Sequence, residues 1–120
     1  MGRTMFLAMA LFGAMTGEAR SNYYNGNDLW AWCEQWTAPK LVAGQNDFYQ
    51  AGLCQGFIGG VVDAFVDSKT LFCVPQGERG VRAGQLVEIV KIYLRNHPET
   101  RHLLAVDLVA NALIEKFPCR

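Results

Sequence analysis

The chain has 120 residues, 51% hydrophobic and 18% charged, enough apolar material for one domain with a buried core and too much for a disordered chain. Lysine plus arginine equals aspartate plus glutamate, 11 against 11, so no charge excess draws nucleic acid or an anionic membrane surface. Neutrality also leaves little repulsion between copies, which favours an oligomer or a protein partner.

Residues 1–19 read "MGRTMFLAMALFGAMTGEA". Arg3 precedes an apolar run from Met5 to Met15, and the small residues Gly17 and Ala19 follow. This is the pattern of a secretory signal cut after Ala19, leaving a single domain at 20–120. The apolar run is about eleven residues, short of the roughly twenty that a membrane helix needs. No cysteine adjoins the cut, which excludes a lipid anchor there, and after signal removal nothing ties the chain to a membrane.

The first helix is expected after the turn signal Asn25-Gly26, capped by Asn27 or Asp28. Leu29, Trp32, Cys33 and Trp36 share one of its faces, and Pro39 closes it. "AGQND" is a loop with Asn46 or Asp47 as the next cap. The segment from Asp47 to Lys69 is too long and continuous for a strand. Its apolar stripe is expected at Leu53, Phe57, Val61, Ala64 and Phe65. Gly52, Gly56 and Gly60 recur every four residues on one face, where another helix of this chain or of a second copy can approach closely. "GFIGG" lacks the Lys-Ser/Thr ending of a phosphate loop.

"SKTLFCVPQGERG" is a loop. The third helix follows in "VRAGQLVEIVKIYLRNHP", with Leu86, Ile89, Val90, Tyr93 and Leu94 inward. The fourth is "RHLLAVDLVANALIEKF", with Leu103, Val106, Ala110, Leu113 and Phe117 inward, stopped by Pro118. No stretch alternates as a strand does. The fold class is therefore all-α: a compact four-helix domain with room for a short fifth helix, and antiparallel neighbours.

Four cysteines, Cys33, Cys54, Cys73 and Cys119, in a small exported domain imply two disulfides. Zinc ligands come in close pairs and a redox dithiol as C-x-x-C; neither spacing occurs. In an up-down-up-down bundle Cys33 and Cys54 fall near one end, and Cys73 and Cys119 near the other. Bonding requires Cα atoms within about 7 Å, so Cys33 pairs with Cys54 and Cys73 with Cys119.

Catalytic equipment is not evident. His97 and His102 stand at a helix boundary and read as capping or packing residues. Asp63 and Asp67, one turn apart, read as solvated carboxylates near a helix end. No metal or cofactor signature appears. Trp30, Trp32, Trp36, Tyr23, Tyr24 and Tyr49 enrich the N-terminal half in aromatics, mostly as core with one or two interface anchors. The balance favours a binding protein over an enzyme.

The ordered set "GNDLWAWC", "LCQGFIGGVVDA", "FCVPQG", "VEIVKIYLRNHPETRH" and "LVANALIEKFPC" resembles the Rap/Tai family of immunity proteins from type VI secretion systems. The resemblance spans about residues 23–119. It implies an all-helical, disulfide-bonded periplasmic protein, commonly dimeric. Such a protein blocks the papain-like cysteine site of an amidase toxin that cuts peptidoglycan peptides. A small periplasmic stress chaperone and an unrecognised hydrolase are the rivals. An inhibitor of a cleft enzyme must protrude, so the contact residues are expected in two polar loops, 76–82 and 96–102. They are Gln76, Glu78 and Arg79 in the first, and Asn96, Glu99 and Arg101 in the second.

Overall fold

The computed structural model describes residues 23–37, 40–65 and 71–119. The expected signal segment, Pro39 and Asp67 lie outside them. Four helices follow in order: α1 (Gly26–Glu34), α2 (Phe48–Phe65), α3 (Ala83–Asn96) and α4 (Ala105–Lys116). A 3-10 turn, Pro98–Thr100, sits between α3 and α4 and is the short extra element. No strand occurs among the described residues. One isolated bridge joins Asn25 to Leu104.

The cap of α1 is Asn25, not Asn27 or Asp28. Asn25 Oδ1 accepts from the Asp28 N–H at 3.0 Å, and Asp28 Oδ2 accepts from the Asn25 N–H at 3.1 Å. This reciprocal box satisfies two amides left unpaired at the helix start and sets a carboxylate on the positive end of its dipole. Gly26 is needed for space rather than for a turn. A Cβ there would lie 2.6 Å from the Arg101 carbonyl oxygen and collide with the Leu108 side chain. The Gly26 N–H donates to Leu103 O at 2.9 Å and the Ala105 N–H to Tyr24 O at 3.0 Å, so the start of α1 is laced to the start of α4.

Between α1 and α2, Asn46 and Asp47 divide the work. Asn46 Nδ2 donates to Gln35 O and its Oδ1 accepts from the Val42 N–H, which folds the loop back on α1. Asp47 caps α2 by accepting from the Gln50 N–H at 3.1 Å. Lys91 on α3 donates from Nζ to Trp36 O at 2.6 Å, covering a carbonyl just past the end of α1.

The buried face of α1 is as expected, with Leu29 and Cys33 fully covered. On α2 the buried positions are Ala51, Cys54, Ile58, Val61 and Val62. The expected stripe holds only at Val61: Leu53, Phe57 and Phe65 are half-buried and Ala64 is exposed. Apolar residues surround α2, so periodicity alone could not choose its inner side; the Cys33–Cys54 bridge did. On α3 the core positions are Leu86, Val87, Val90 and Leu94, with Ile89 and Tyr93 half-buried. On α4 they are Ala105, Leu108, Val109, Ala112 and Leu113. Leu103 is exposed because α4 starts two residues after it. Every pair of helices packs together, and Phe72 and Val74 join the common core from the α2–α3 connection.

Both disulfides form as expected. Cys33–Cys54 and Cys73–Cys119 each bring Cα atoms to 5.0 Å, and no described cysteine is free. The first is wholly buried; the second lies at the surface.

Candidate functional site

The connection from α2 to α3 is built as a supported projection. "FCVPQGERG" alternates inward, outward, inward: Phe72 and Val74 are buried, and Cys73 turns out to meet Cys119. The Cys73 N–H donates to Phe117 O at 2.8 Å beside that bridge. Pro75 O then accepts from the Val81 N–H at 3.1 Å, closing a loop across residues 76–80. Inside it the Gly80 N–H donates to Gly77 O at 2.9 Å, and Gln76 Nε2 donates to Val74 O at 3.0 Å. Gly77 has φ 90°, a conformation that side chains disfavour. A Cβ on Gly80 would stand 2.7 Å from Pro75 O. Beyond the loop, Gln85 Oε1 accepts from the Arg82 N–H at 2.7 Å and caps α3. The tip is Glu78-Arg79, both exposed. A charged tip is thus held by two core plugs, a disulfide and two internal hydrogen bonds.

The second expected loop is differently made. Arg101 donates from Nε to Leu94 O at 2.7 Å, and its guanidinium lies 4.3 Å above the Trp30 ring. It closes the C-terminal end of α3, where a cation complements the helix dipole, and rests on α1. His97 stacks on Tyr93 with centroids 4.1 Å apart and donates from Nδ1 to Tyr93 O at 2.8 Å. Thr100 Oγ1 donates to His97 O at 3.2 Å. Asn96, Glu99 and His102 remain exposed. The two loops flank α3, whose 14 residues span about 21 Å. The structure therefore sets Gln76, Glu78 and Arg79 apart from Asn96, Glu99 and Arg101, at opposite ends of α3.

A third surface joins two features read separately in the sequence, the Gly52–Gly56 face of α2 and the N-terminal aromatics. Tyr24, Trp32 and Phe57 form an aromatic cluster, Tyr24 edge-on to Trp32 at 4.8 Å and to Phe57 at 6.2 Å. With Phe48, Tyr49, Gly52, Leu53 and Gly56 the cluster lines a groove of about 450 Å³. The signal was present in "NDFYQAGLCQGF", where aromatics and glycines fall on the side of α2 opposite Cys54. Among the described residues no group of three His, Cys, Asp or Glu side chains could hold a metal ion, and no helix is long and apolar enough to cross a membrane.

A sequence model described as Rap1a immunity proteins matches residues 25–119. The chain belongs to that family. The Rap1a match begins at the Asn25 cap and ends at Cys119, so it takes in all four helices, both bridges and both loops. No curated protein matches the sequence. Membership in the Rap1a family gives an immunity role, met by binding a toxin partner.

Proposed function

We propose that the chain is a periplasmic immunity protein that inhibits a type VI secretion peptidoglycan amidase by seating the loop 75–81 in its active-site cleft. It acts by binding and not by catalysis. Its two disulfides fit the oxidising periplasm that the expected signal at 1–19 would reach. The observation that carries the reading is the supported projection with Glu78 and Arg79 at its tip. A loop already fixed in shape loses little conformational entropy on entering a cleft. Charged tip residues would meet opposite charges around the toxin's groove, where a mismatched charge is costly. Loop 96–102 is the lesser candidate, because Arg101 is engaged within the chain while Asn96 and Glu99 are free to face a partner at the far end of α3. We also read the protein as a homodimer, which its zero net charge does not oppose.

The test uses a peptidoglycan amidase effector that the chain binds, with calorimetric binding and peptidoglycan hydrolysis as readouts. Glu78→Lys with Arg79→Glu should weaken binding at least tenfold and relieve inhibition with helical content unchanged. Glu99→Lys should weaken it less. Full affinity after reversal of the tip would refute the loop as the inhibitory element.

A further inference from the structure

The two bridges differ in what can reach them. Cys33 and Cys54 are fully buried and belong to the core cluster with Leu29 and Ile58. Cys73 is exposed and Cys119 half-buried. Thiol–disulfide exchange begins when a thiolate attacks a sulfur, so access sets its rate. Of the two bridges, the surface one offers a sulfur to a reductant.

That bridge also stands at the foot of the 75–81 loop. The strut that leaves the loop runs straight into α3, where Gln85 Oε1 accepts from the Arg82 N–H and Arg82 O from the Leu86 N–H. The strut that enters it, residues 72–74, lies in no helix. It is fastened to the C-terminus at one residue, Cys73, by the bridge to Cys119 and by the N–H donated to Phe117 O at 2.8 Å. Both partners lie beyond Lys116, the last residue of α4. Pro118, between them, is exposed and has no N–H to donate, so the bridge is what keeps the chain end beside Cys73.

We infer that Cys73–Cys119 is a redox-sensitive latch on the inhibitory loop: a dithiol reductant opens it and lowers affinity for the amidase, while the helices and the core bridge stay intact. The latch rests on the loop reading proposed above and supplies its regulation. One thiolate of the dithiol attacks Cys73 Sγ, the more exposed sulfur. The S–S bond breaks, and its electron pair leaves on Cys119 Sγ, which takes up a proton. The second sulfur of the dithiol, deprotonated, attacks the first and expels Cys73 Sγ, which is protonated in turn. The dithiol ends as a disulfide, and two electrons and two protons have passed to the bridge. The bridge with sequence separation 46 loses more loop-closure entropy on opening than the one with 21, so the selectivity lies in rate and not in equilibrium. Phe72 and Val74 stay buried and the Val81 N–H stays on Pro75 O, so the opened loop keeps its shape. It loses its fixed aim on the body, and the freedom gained must be given up again on binding. A copy in a reducing compartment therefore engages the amidase weakly, and oxidation makes it competent.

The experiment treats the exported protein with dithiothreitol under native conditions, quenches samples with iodoacetamide and maps the alkylated cysteines. Cys73 and Cys119 should react roughly tenfold faster than Cys33 and Cys54, with the helical spectrum kept. Affinity for the amidase, measured by calorimetry after anaerobic removal of the dithiol, should fall about tenfold and recover on reoxidation. Cys73→Ser with Cys119→Ser, assayed well below its melting temperature, should bind as weakly with no reductant present. Undiminished affinity in the serine pair overturns the latch. So does opening of the core bridge first, or loss of the helical spectrum when the surface bridge alone is open. The tip reversal Glu78→Lys with Arg79→Glu separates this inference from the reading beneath it. If the reversal weakens binding and the serine pair does not, the loop stands and the latch falls. If the reversal leaves binding whole, the loop reading falls and the latch falls with it.

Discussion

Replacing both cysteines of the surface bridge, Cys73→Ser with Cys119→Ser, isolates the role of the C-terminal tie. The bridge spans a sequence separation of 46, and loop-closure entropy sets its contribution at about 4 kcal/mol. Cys73 is exposed and Cys119 half-buried, so serine hydroxyls there stay solvated and add little burial cost. The midpoint of urea unfolding should fall by about 2 M and the melting temperature by roughly 20 °C. The core bridge offers a contrast. Its separation of 21 gives about 3 kcal/mol by the same estimate, but both sulfurs are fully buried. Cys33→Ala with Cys54→Ala also opens a void, adding roughly 1–3 kcal/mol. The core pair should therefore be the more damaging loss although its loop is shorter. Equilibrium unfolding monitored by tryptophan fluorescence, with the remaining bridge verified by peptide mapping, measures both. A loss under about 1 kcal/mol for the surface pair would refute the argument. It would mean that the Cys73 N–H to Phe117 bond and the packing of Phe117 hold the end without the bridge.

Gly80→Ala should cost about 1–3 kcal/mol, since its Cβ would stand 2.7 Å from Pro75 O and the loop must open to admit it. Amidase inhibition should fall further than stability does, and unchanged inhibition would show that the loop's shape is immaterial. Arg101→Lys should cost about 1–2 kcal/mol by losing the planar contact with Trp30 and the fixed bond to Leu94 O, seen as a lower melting temperature and altered tryptophan emission.

Helix number, order and bridge pairing were legible in the sequence because they rest on chain-length features: prolines and glycines that end helices, and cysteines whose topological ends coincide. Which way each helix faces was legible only where polar residues marked the outside. The face of α1 was read correctly from Leu29 and Cys33, but α2 is apolar all round, and its stripe was set on the Leu53 side rather than the Ile58 side. On α4 the shift had a different cause. The stripe was begun at Leu103, while the bond from the Gly26 N–H takes up the Leu103 carbonyl and delays the helix to Ala105. Arg101 looked like a surface charge because its partners, Leu94 O and the Trp30 ring, are seven and seventy-one positions away. The α2–α3 loop stood out through Pro75 and its glycines. That Phe72 and Val74 would anchor it was also written, in an alternation too short to be told from chance.

The lacing of Tyr24 and Gly26 to Leu103 and Ala105 has a consequence for how the molecule comes into being. The first helix is seated by residues that leave the ribosome almost last, and the notch that Gly26 fills is made by Arg101 and Leu108. A nascent chain lacking its final fifth can still set α1 on α2 and α3, but the notch around Gly26 and the bonds to Leu103 and Tyr24 are missing, and Cys73 has no sulfur to meet. Contacts of such long sequence separation form late, after their loop entropy has been overcome. The contacts that close the fold therefore come last, when Tyr24 and Gly26 meet Leu103 and Ala105.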